Sequence, residues 1–403
     1  MRILAIETSC DETGISIIEG RGTTPRRAAP SHVRVLANEL LSQAHIHAEY
    51  GGVFPTVARR EHAKNIVPLI IHALKNAGLH SPAKRPRVSS PKEIHAFEKI
   101  FHKEPELWAT FQKELLVLKK PTLDAIAVAT GPGLEPALWV GINVAQALGA
   151  LWDIPVIPVN HMEGHIVASL LDEAMKKKGQ KYTEYQLLLP HHPALALLIS
   201  GGHTELILIP RAGVYTILGQ TRDDAVGEAF DKVARMLGLT YPGGPEVSKL
   251  AEKAPQTLVP RFPLPRPMIA SGNFDFSFAG LKTAVLYTLK KITDPTDEDK
   301  ACIAQEFENA ATEVLLTKTI AAAKEYHVHE IILGGGVTAN KKIREAFRTT
   351  VARDLPTVKL FIPTHHLSTD NGLMIGVAGL LKRNKPKKIF RADGTLRLEK
   401  KII

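Results

Sequence analysis

The alternation of apolar and polar positions divides this 403-residue chain into strands and helices that follow one another in turn. RILAIE, TSCDET and GISIIEG read as strand, polar turn and strand over Met1 to Glu19. Val33 to Leu41 predicts a further strand. Arg60 to Ala77 predicts a helix, because its apolar positions recur near every 3.6 residues. Ser81 to Pro91 is rich in Pro, Ser and basic residues and reads as a linker. Two short amphipathic patterns follow as far as Leu118, the first carrying Ile94, Phe97, Ile100 and Phe101. Asp124 to Ala129 predicts an apolar strand, Gly131-Pro132-Gly133 a tight turn, and the next stretch a helix ending near Leu151. Pro155 to Val159 predicts a short strand running into a helix from His161.

The second half begins as the first does. Leu195 to Ile199 and Thr204 to Ile209 read as strands around the turn Ser200-Gly201-Gly202-His203. A helix over Asp224 to Leu237, a loop over Tyr241 to Pro245, and helices near Gly280 to Lys291 and Lys300 to Tyr326 follow. Glu330 to Leu333 predicts a strand, Gly334-Gly335-Gly336 a turn into a helix near Asn340, and Ser368-Thr369-Asp370-Asn371-Gly372 the start of a last helix to Lys382. Strands alternating with helices in two similar halves predict an α/β protein of two lobes with a central cleft. The expected division is 1–160 for the N-terminal lobe, including a basic insertion at 81–120, then 161–369 for the C-terminal lobe. Residues 370–403 are expected to return to the N-terminal lobe as a helix with a basic tail.

Composition narrows the class. A 44% hydrophobic and 23% charged chain is globular rather than disordered or fibrous. No run approaches the ~18 apolar residues of a membrane span, and Asp11 and Glu12 interrupt the start too early for a signal peptide. Two cysteines, Cys10 and Cys302, give no disulfide framework and suit a reducing cytoplasm. The net charge of +10 is concentrated: 382–403 carries +7 and 81–120 carries +4, leaving the rest near neutral. Such segments suit a polyanion, nucleic acid included; a solubilising tail and a solvated helical insert are the plain alternative.

Four constellations carry chemistry. His161 and His165 stand at i and i+4 on a predicted helix, so they share a face and suit metal capture. With 17 His in the chain, such a pair also arises by chance. It is not the zinc-protease motif, since Met162 stands where that motif has Glu. Asp370, in a loop before a helix, is the best carboxylate to complete a two-His, one-Asp set. That set, with open positions for water or ligand oxygens, would suit one divalent metal, iron(II) or zinc. The turns Thr8–Thr13 and Ser200–Thr204 could offer backbone N–H groups to phosphate, or could be ordinary hairpin turns. Asp11 and Glu12 repel anions, so they make more sense beside a metal or an amine. Gly334 to Asn340 could admit a flat base or ribose, or be a glycine-rich strand–helix turn. Asp231, three residues after Glu228, could accept from ribose hydroxyls, or be a solvated acid.

The order of these motifs is more specific than any one of them. IETSCDET, ATGPGL, NHMEGH, LISGGHTEL, DDAVGEAFDKVARMLGL with YPGGP, FSFAGLKTA, ILGGGVTAN and STDNG resemble the bacterial TsaD family, which is related to Kae-type proteins. The resemblance covers nearly all of Met1 to His80 and Pro121 to Leu381. It implies an actin-like, sugar-kinase-like fold. It also implies a transferase reaction in which threonylcarbamoyl-adenylate gives its threonylcarbamoyl group to N6 of adenosine 37, in tRNAs reading codons that begin with A, and AMP leaves. It assigns metal binding to His161, His165 and Asp370. It assigns donor contacts to Leu198, Ile199, Ser200, Gly201, Gly202, Asp231, Gly244 and Asn340. Asp11 and Glu12 become candidates for orienting the attacking amine or a metal-bound water. TsaB and TsaE proteins are the implied partners beside tRNA. Ala279 departs from the Ser that many relatives carry. The alternatives are a kinase or ATPase of the same fold, or a non-catalytic scaffold of the same complex.

Overall fold

Two runs of apolar strand, RILAIE and ALALLI, each lie at the centre of a sheet, which explains why neither alternates: strands covered on both faces read as continuous apolar runs. A computed structural model describes residues 1–22, 31–84, 88, 90–173, 181–255, 259–382 and 390–398. The chain divides into two units. Unit 1 comprises 1–43, 53–188 and 370–397; unit 2 comprises 44–52, 189–369 and the C-terminal residues from Leu398.

Unit 1 is built on a seven-stranded sheet. Its strands are β1 (Arg2–Glu7), β2 (Glu12–Arg21), β3 (His32–Ser42), β4 (Ala125–Gly131), β5 (Val156–Asn160), β6 (Leu171–Glu173) and β7 (Thr183–Leu187). The order is β5-β4-β1-β2-β3-β7-β6. The first three strands form an antiparallel meander, while β4 and β5 join β1 in parallel. The helix Gly372–Leu381 packs on β1 and β2, and its Gly372 sits so close to Gly14 that a Cβ on Gly14 would lie 2.5 Å from the Gly372 nitrogen. That contact holds the Asp370-Asn371 turn against β2.

Unit 2 repeats the plan with five strands. They are β8 (Ala194–Ile199), β9 (Thr204–Arg211), β10 (Val214–Gln220), β11 (Glu330–Gly334) and β12 (Lys359–Phe361), in the order β10-β9-β8-β11-β12. Again a three-stranded antiparallel meander is extended by two parallel strands. Its core gathers Leu195, Leu197, Phe230, Phe276, Phe307 and Phe347, among others, from β8, the helices around it and the segment that bridges Phe276 to Thr221.

The structure moves the expected boundary. Residues 161–188 stay with unit 1 because β7 pairs antiparallel with β3, and β6 with β7. The loop expected over Tyr241 to Pro245 is instead the start of a helix, Gly243–Ala251, since a proline in the first turn removes no intrahelical bond. The short or half-exposed strands β6, β7, β10 and β12 lack a strong apolar pattern and were not foreseen.

The insertion is a folded appendage. Helices Pro91–Ile100 and Pro105–Glu114 bury Phe97, Phe101 and Phe111 around Trp108, with Phe101 and Phe111 ring centroids 5.1 Å apart. Its two ends are clasped where Ala83 N donates to Val117 O and Lys119 N to Ser81 O. Of the basic tail, 383–389 and 399–403 lie outside the described residues. The described part folds onto its own chain: Asp393 N donates to Thr130 O, and Gly133 N to Gly394 O.

Candidate metal centre and cavity

Asn160 ends β5 and at once caps the next helix, its Oδ1 accepting from Met162 N (2.9 Å) and Glu163 N (3.3 Å). A good cap lets an eight-residue helix start without a connecting loop. His161 is therefore its first residue and His165 lies one turn on. The two rings meet edge to face, centroids 4.7 Å apart. On the other side Asn371 caps the helix Gly372–Leu381, and Asp370 precedes that cap. His165 Nε2 lies 3.1 Å and His161 Nε2 3.5 Å from Asp370 Oδ1. One donor atom from each of the three residues falls within 4.8 Å of the others.

The three residues fit a metal. Ligands 2.0–2.1 Å from a tetrahedral ion lie about 3.3–3.4 Å from one another, and the two His–Asp separations bracket that value. His165 is 1% exposed, yet neither ring nitrogen is in hydrogen-bond geometry with any described residue. The short Nε2–Oδ1 distance is therefore a convergence on a common point, not a hydrogen bond. An imidazole sealed from water with both nitrogens idle is costly unless something else takes a lone pair.

Glu7, which the sequence reading passed over, lies behind His161. Its Oε2 is 3.0 Å from His161 Nδ1, and Ser9 Oγ is 3.1 Å from the same nitrogen. Glu7 Oε1 accepts from Ser9 N. A carboxylate on Nδ1 places the proton there and leaves Nε2 as the ligand atom. Burial disfavours a charged His161, but the charges of Asp370 and Glu7 outweigh it and push its pKa up to about 9.

Asp11 and Glu12 are on the same side of unit 1. Burial, then the charges of Asp11 and Asp370, push the Glu12 carboxyl well above the usual range. Burial, then Asp11, Asp370 and Glu12, push the Cys10 thiol up, so Cys10 is no thiolate nucleophile. The turn carrying these residues is held by His62, 0% exposed: its Nδ1 lies 2.7 Å from Thr13 Oγ1 and its Nε2 2.9 Å from Cys10 O.

The expected donor-contact residues are all in unit 2, and only some meet. A cavity of about 650 Å³ is lined by Gly201, Asp231, Gly244 and Asn340, together with Glu308 and Ser248. That size suits a nucleotide. Leu198 and Ile199 are fully buried in β8, and Ser200 is tied to His203 through both its backbone N–H and its hydroxyl. Gly202 is exposed and does not line the cavity. Gly335, with φ of +91°, packs so close to Ile199 that a Cβ would lie 2.4 Å from its carbonyl oxygen; its glycine is required by packing. Asn340 has its amide committed: Nδ2 donates to Glu308 Oε1 and Ser248 Oγ, and Oδ1 accepts from Ile343 N. Asp231 Oδ1 accepts from Gly243 N. At the departing position Ala279, Asp223 accepts from the Phe278 and Ala279 amides, capping that helix without a serine.

Two sheets of repeated meander-plus-parallel topology, with a two-His, one-Asp cluster that could hold a metal ion in the first unit, define an actin-like α/β protein. The sequence model of TsaD, tRNA N6-adenosine threonylcarbamoyltransferase, matches residues 34–83 and 114–377. The unmatched stretch falls within the insertion. A protein of that description from Ralstonia pickettii (strain 12J) is 39% identical over 386 residues, 95% of this chain and 91% of that one. One from Persephonella marina (strain DSM 14350 / EX-H1) is 38% identical over 398 residues, 98% and 92%. One from Paraburkholderia xenovorans (strain LB400) is 40% identical over 386 residues, 95% and 92%. The chain belongs to the TsaD family.

Proposed function

We propose that this chain transfers a threonylcarbamoyl group from threonylcarbamoyl-adenylate to N6 of adenosine 37 in tRNAs reading codons that begin with A. The N6 nitrogen attacks the carbamoyl carbon, the carbon–oxygen bond to phosphate breaks, N6 loses a proton and AMP departs. What carries the reading is a His161–His165–Asp370 cluster that stands intact in a chain of this family. An exocyclic amine is a poor nucleophile and the donor is an activated mixed anhydride, so positioning and neutralisation of the leaving phosphate supply most of what is needed.

His161, His165 and Asp370 would hold one divalent ion, iron(II) before zinc, because two imidazoles and one carboxylate with open positions suit it. When bound, such an ion supplies positive charge that polarises an oxygen ligand. Glu7 keeps the His161 proton on Nδ1. Glu12, its carboxyl pushed up by burial and then by the charges of Asp11 and Asp370, is the candidate to take up the N6 proton, with Asp11 beside it to orient the amine. The donor's adenosine half belongs in the cavity of Asp231, Gly244 and Asn340, with Gly201 of the turn after β8 at its edge.

tRNA is the acceptor, and the basic insertion and tail are candidate phosphate contacts. TsaB and TsaE are the expected protein partners, and the tRNA pool places the reaction in the cytoplasm. No helix among the described residues is long and apolar enough to cross a membrane. The test is incubation of metal-loaded protein with threonylcarbamoyl-adenylate and unmodified tRNA, read by nucleoside mass spectrometry. Threonylcarbamoyladenosine is expected. Steady ATP turnover without tRNA modification would instead favour a kinase or ATPase.

A further inference from the structure

One carboxylate oxygen on the wall of the nucleotide-sized cavity of unit 2 is not used by the hydrogen bonds that hold its neighbours. Glu308 lies on the long helix Asp297–Glu325 and lines the cavity, yet it is only 7% exposed. Its Oε1 accepts from Ser248 Oγ at 2.7 Å and from Asn340 Nδ2 at 2.7 Å. Its Oε2 has no partner among the described residues. Among the described residues no ion pair to it is found; of the lysines that line the cavity, Lys249 is bonded to Glu246 and Lys341 to Glu252.

Glu308 Oε2 is not among the sealed, unpartnered atoms of the described residues, so it is open to the cavity, and a carboxylate can only accept. The atoms around Glu308 are arranged so that this remains its role. Ser248 and Asn340 both direct their hydrogens at Oε1, and Asn340 is itself fixed by accepting from Ile343 N. Neither can turn to serve Oε2 without giving up a bond already made. The cavity thus presents an immobile acceptor to whatever fills it.

We propose that Glu308 is a specificity-determining residue: its Oε2 accepts a hydrogen bond from an N–H or O–H donor on the nucleoside half of the bound ligand. This rests on the reading above that the cavity takes the adenosine moiety. Two groups of that moiety offer such a donor, the 6-amino group and the ribose hydroxyls. The acceptor rejects ligands that present a lone pair in the same place, because two acceptors face to face leave both unpaired and desolvated.

The test is calorimetric titration of the full chain with AMP, IMP and 2′-deoxy-AMP, each against wild type and Glu308→Gln. Glutamine keeps an oxygen for Ser248 and Asn340 and turns the free position from acceptor to donor. For wild type, AMP binds, and one analogue binds about tenfold or more weaker. Loss with IMP identifies the amino group; loss with 2′-deoxy-AMP identifies the ribose. For Glu308→Gln, AMP binding falls by a similar factor, and the analogue lacking the relevant donor shows no further loss. A uniform loss for all three ligands would mean that Glu308 only supports the cavity wall, which overturns the proposal. So would analogues binding wild type as tightly as AMP, an arm that needs no variant to fold. Failure of AMP itself to bind wild type would instead overturn the assignment of the cavity to adenosine, and this proposal with it.

Discussion

In unit 1 the buried His165 has neither ring nitrogen in a hydrogen bond with a described residue, whereas in the cavity of unit 2 Asn340, Asp231 and Ser248 already bond their neighbours. The His165 and His161 Nε2 atoms lie 3.1 and 3.5 Å from Asp370 Oδ1, a spacing that suits ligands of one ion. Asn340, Asp231 and Ser248 line the cavity, but each already bonds a neighbour, so only Glu308 Oε2 stands free of those named. A site with idle ligand atoms is arranged for something bound tightly and permanently. A site whose groups hold one another is arranged for a ligand that comes and goes, recognised by shape and a few polar points.

Breaking the comparison at its strongest point gives the largest effect. His165→Ala and Asp370→Ala should each abolish stoichiometric metal and transfer activity, a loss beyond the ~100-fold typical of outer residues. Elemental analysis of the purified variants reads it, and full metal occupancy in either variant would remove that residue from the ligand set. Acidity should act in the same direction. With its pKa raised to about 9, His161 carries a proton at neutral pH that metal must displace. Apparent affinity should then rise by about tenfold per pH unit, roughly 100-fold between pH 6 and 8. A competition titration that stays flat over that range would contradict this.

Glu7→Gln should lower metal affinity by about 10–100-fold with the fold intact, because the carboxylate that fixes the His161 proton is gone. Circular dichroism and a metal titration together separate this from unfolding. In the cavity the smallest effect is expected, and on stability as much as binding. Asn340→Ala removes a helix cap and leaves Glu308 and Ser248 short of a donor, at about 1–3 kcal/mol of unfolding free energy. Chemical denaturation that shows no loss would mean those bonds contribute little.

The two regions also differed in how far the sequence alone revealed them. The His pair was legible because i,i+4 spacing is a local property, and Asp370 because it precedes a helix with a cap-like Asn371. Glu7 was not, since its contact with His161 crosses 154 residues and follows from β1 and β5 flanking β4 in one sheet. His62 was missed for the same reason: nothing in a helix pattern says that one of its residues clamps a distant turn. In unit 2 the glycine motifs were visible, but their meaning was mixed. Gly244 lines the cavity, while Gly335 is there to let Ile199 approach. Glu308 gave no signal, because a Glu within a long helix reads as a solvated residue until the packing of Ser248 and Asn340 is known. The repeated strand–turn–strand start of each half was plain; the edge strands β6, β7, β10 and β12, short or half-exposed, were not.

The proposed division of labour places metal in unit 1 and nucleotide in unit 2. A crystal structure with AMP and zinc, with data collected at the zinc edge, tests it most directly. The anomalous peak should lie about 2.0–2.2 Å from His161 Nε2, His165 Nε2 and an Asp370 oxygen, with AMP density beside Asp231, Gly244 and Glu308. A metal peak on other residues, or AMP bound outside that cavity, would contradict it.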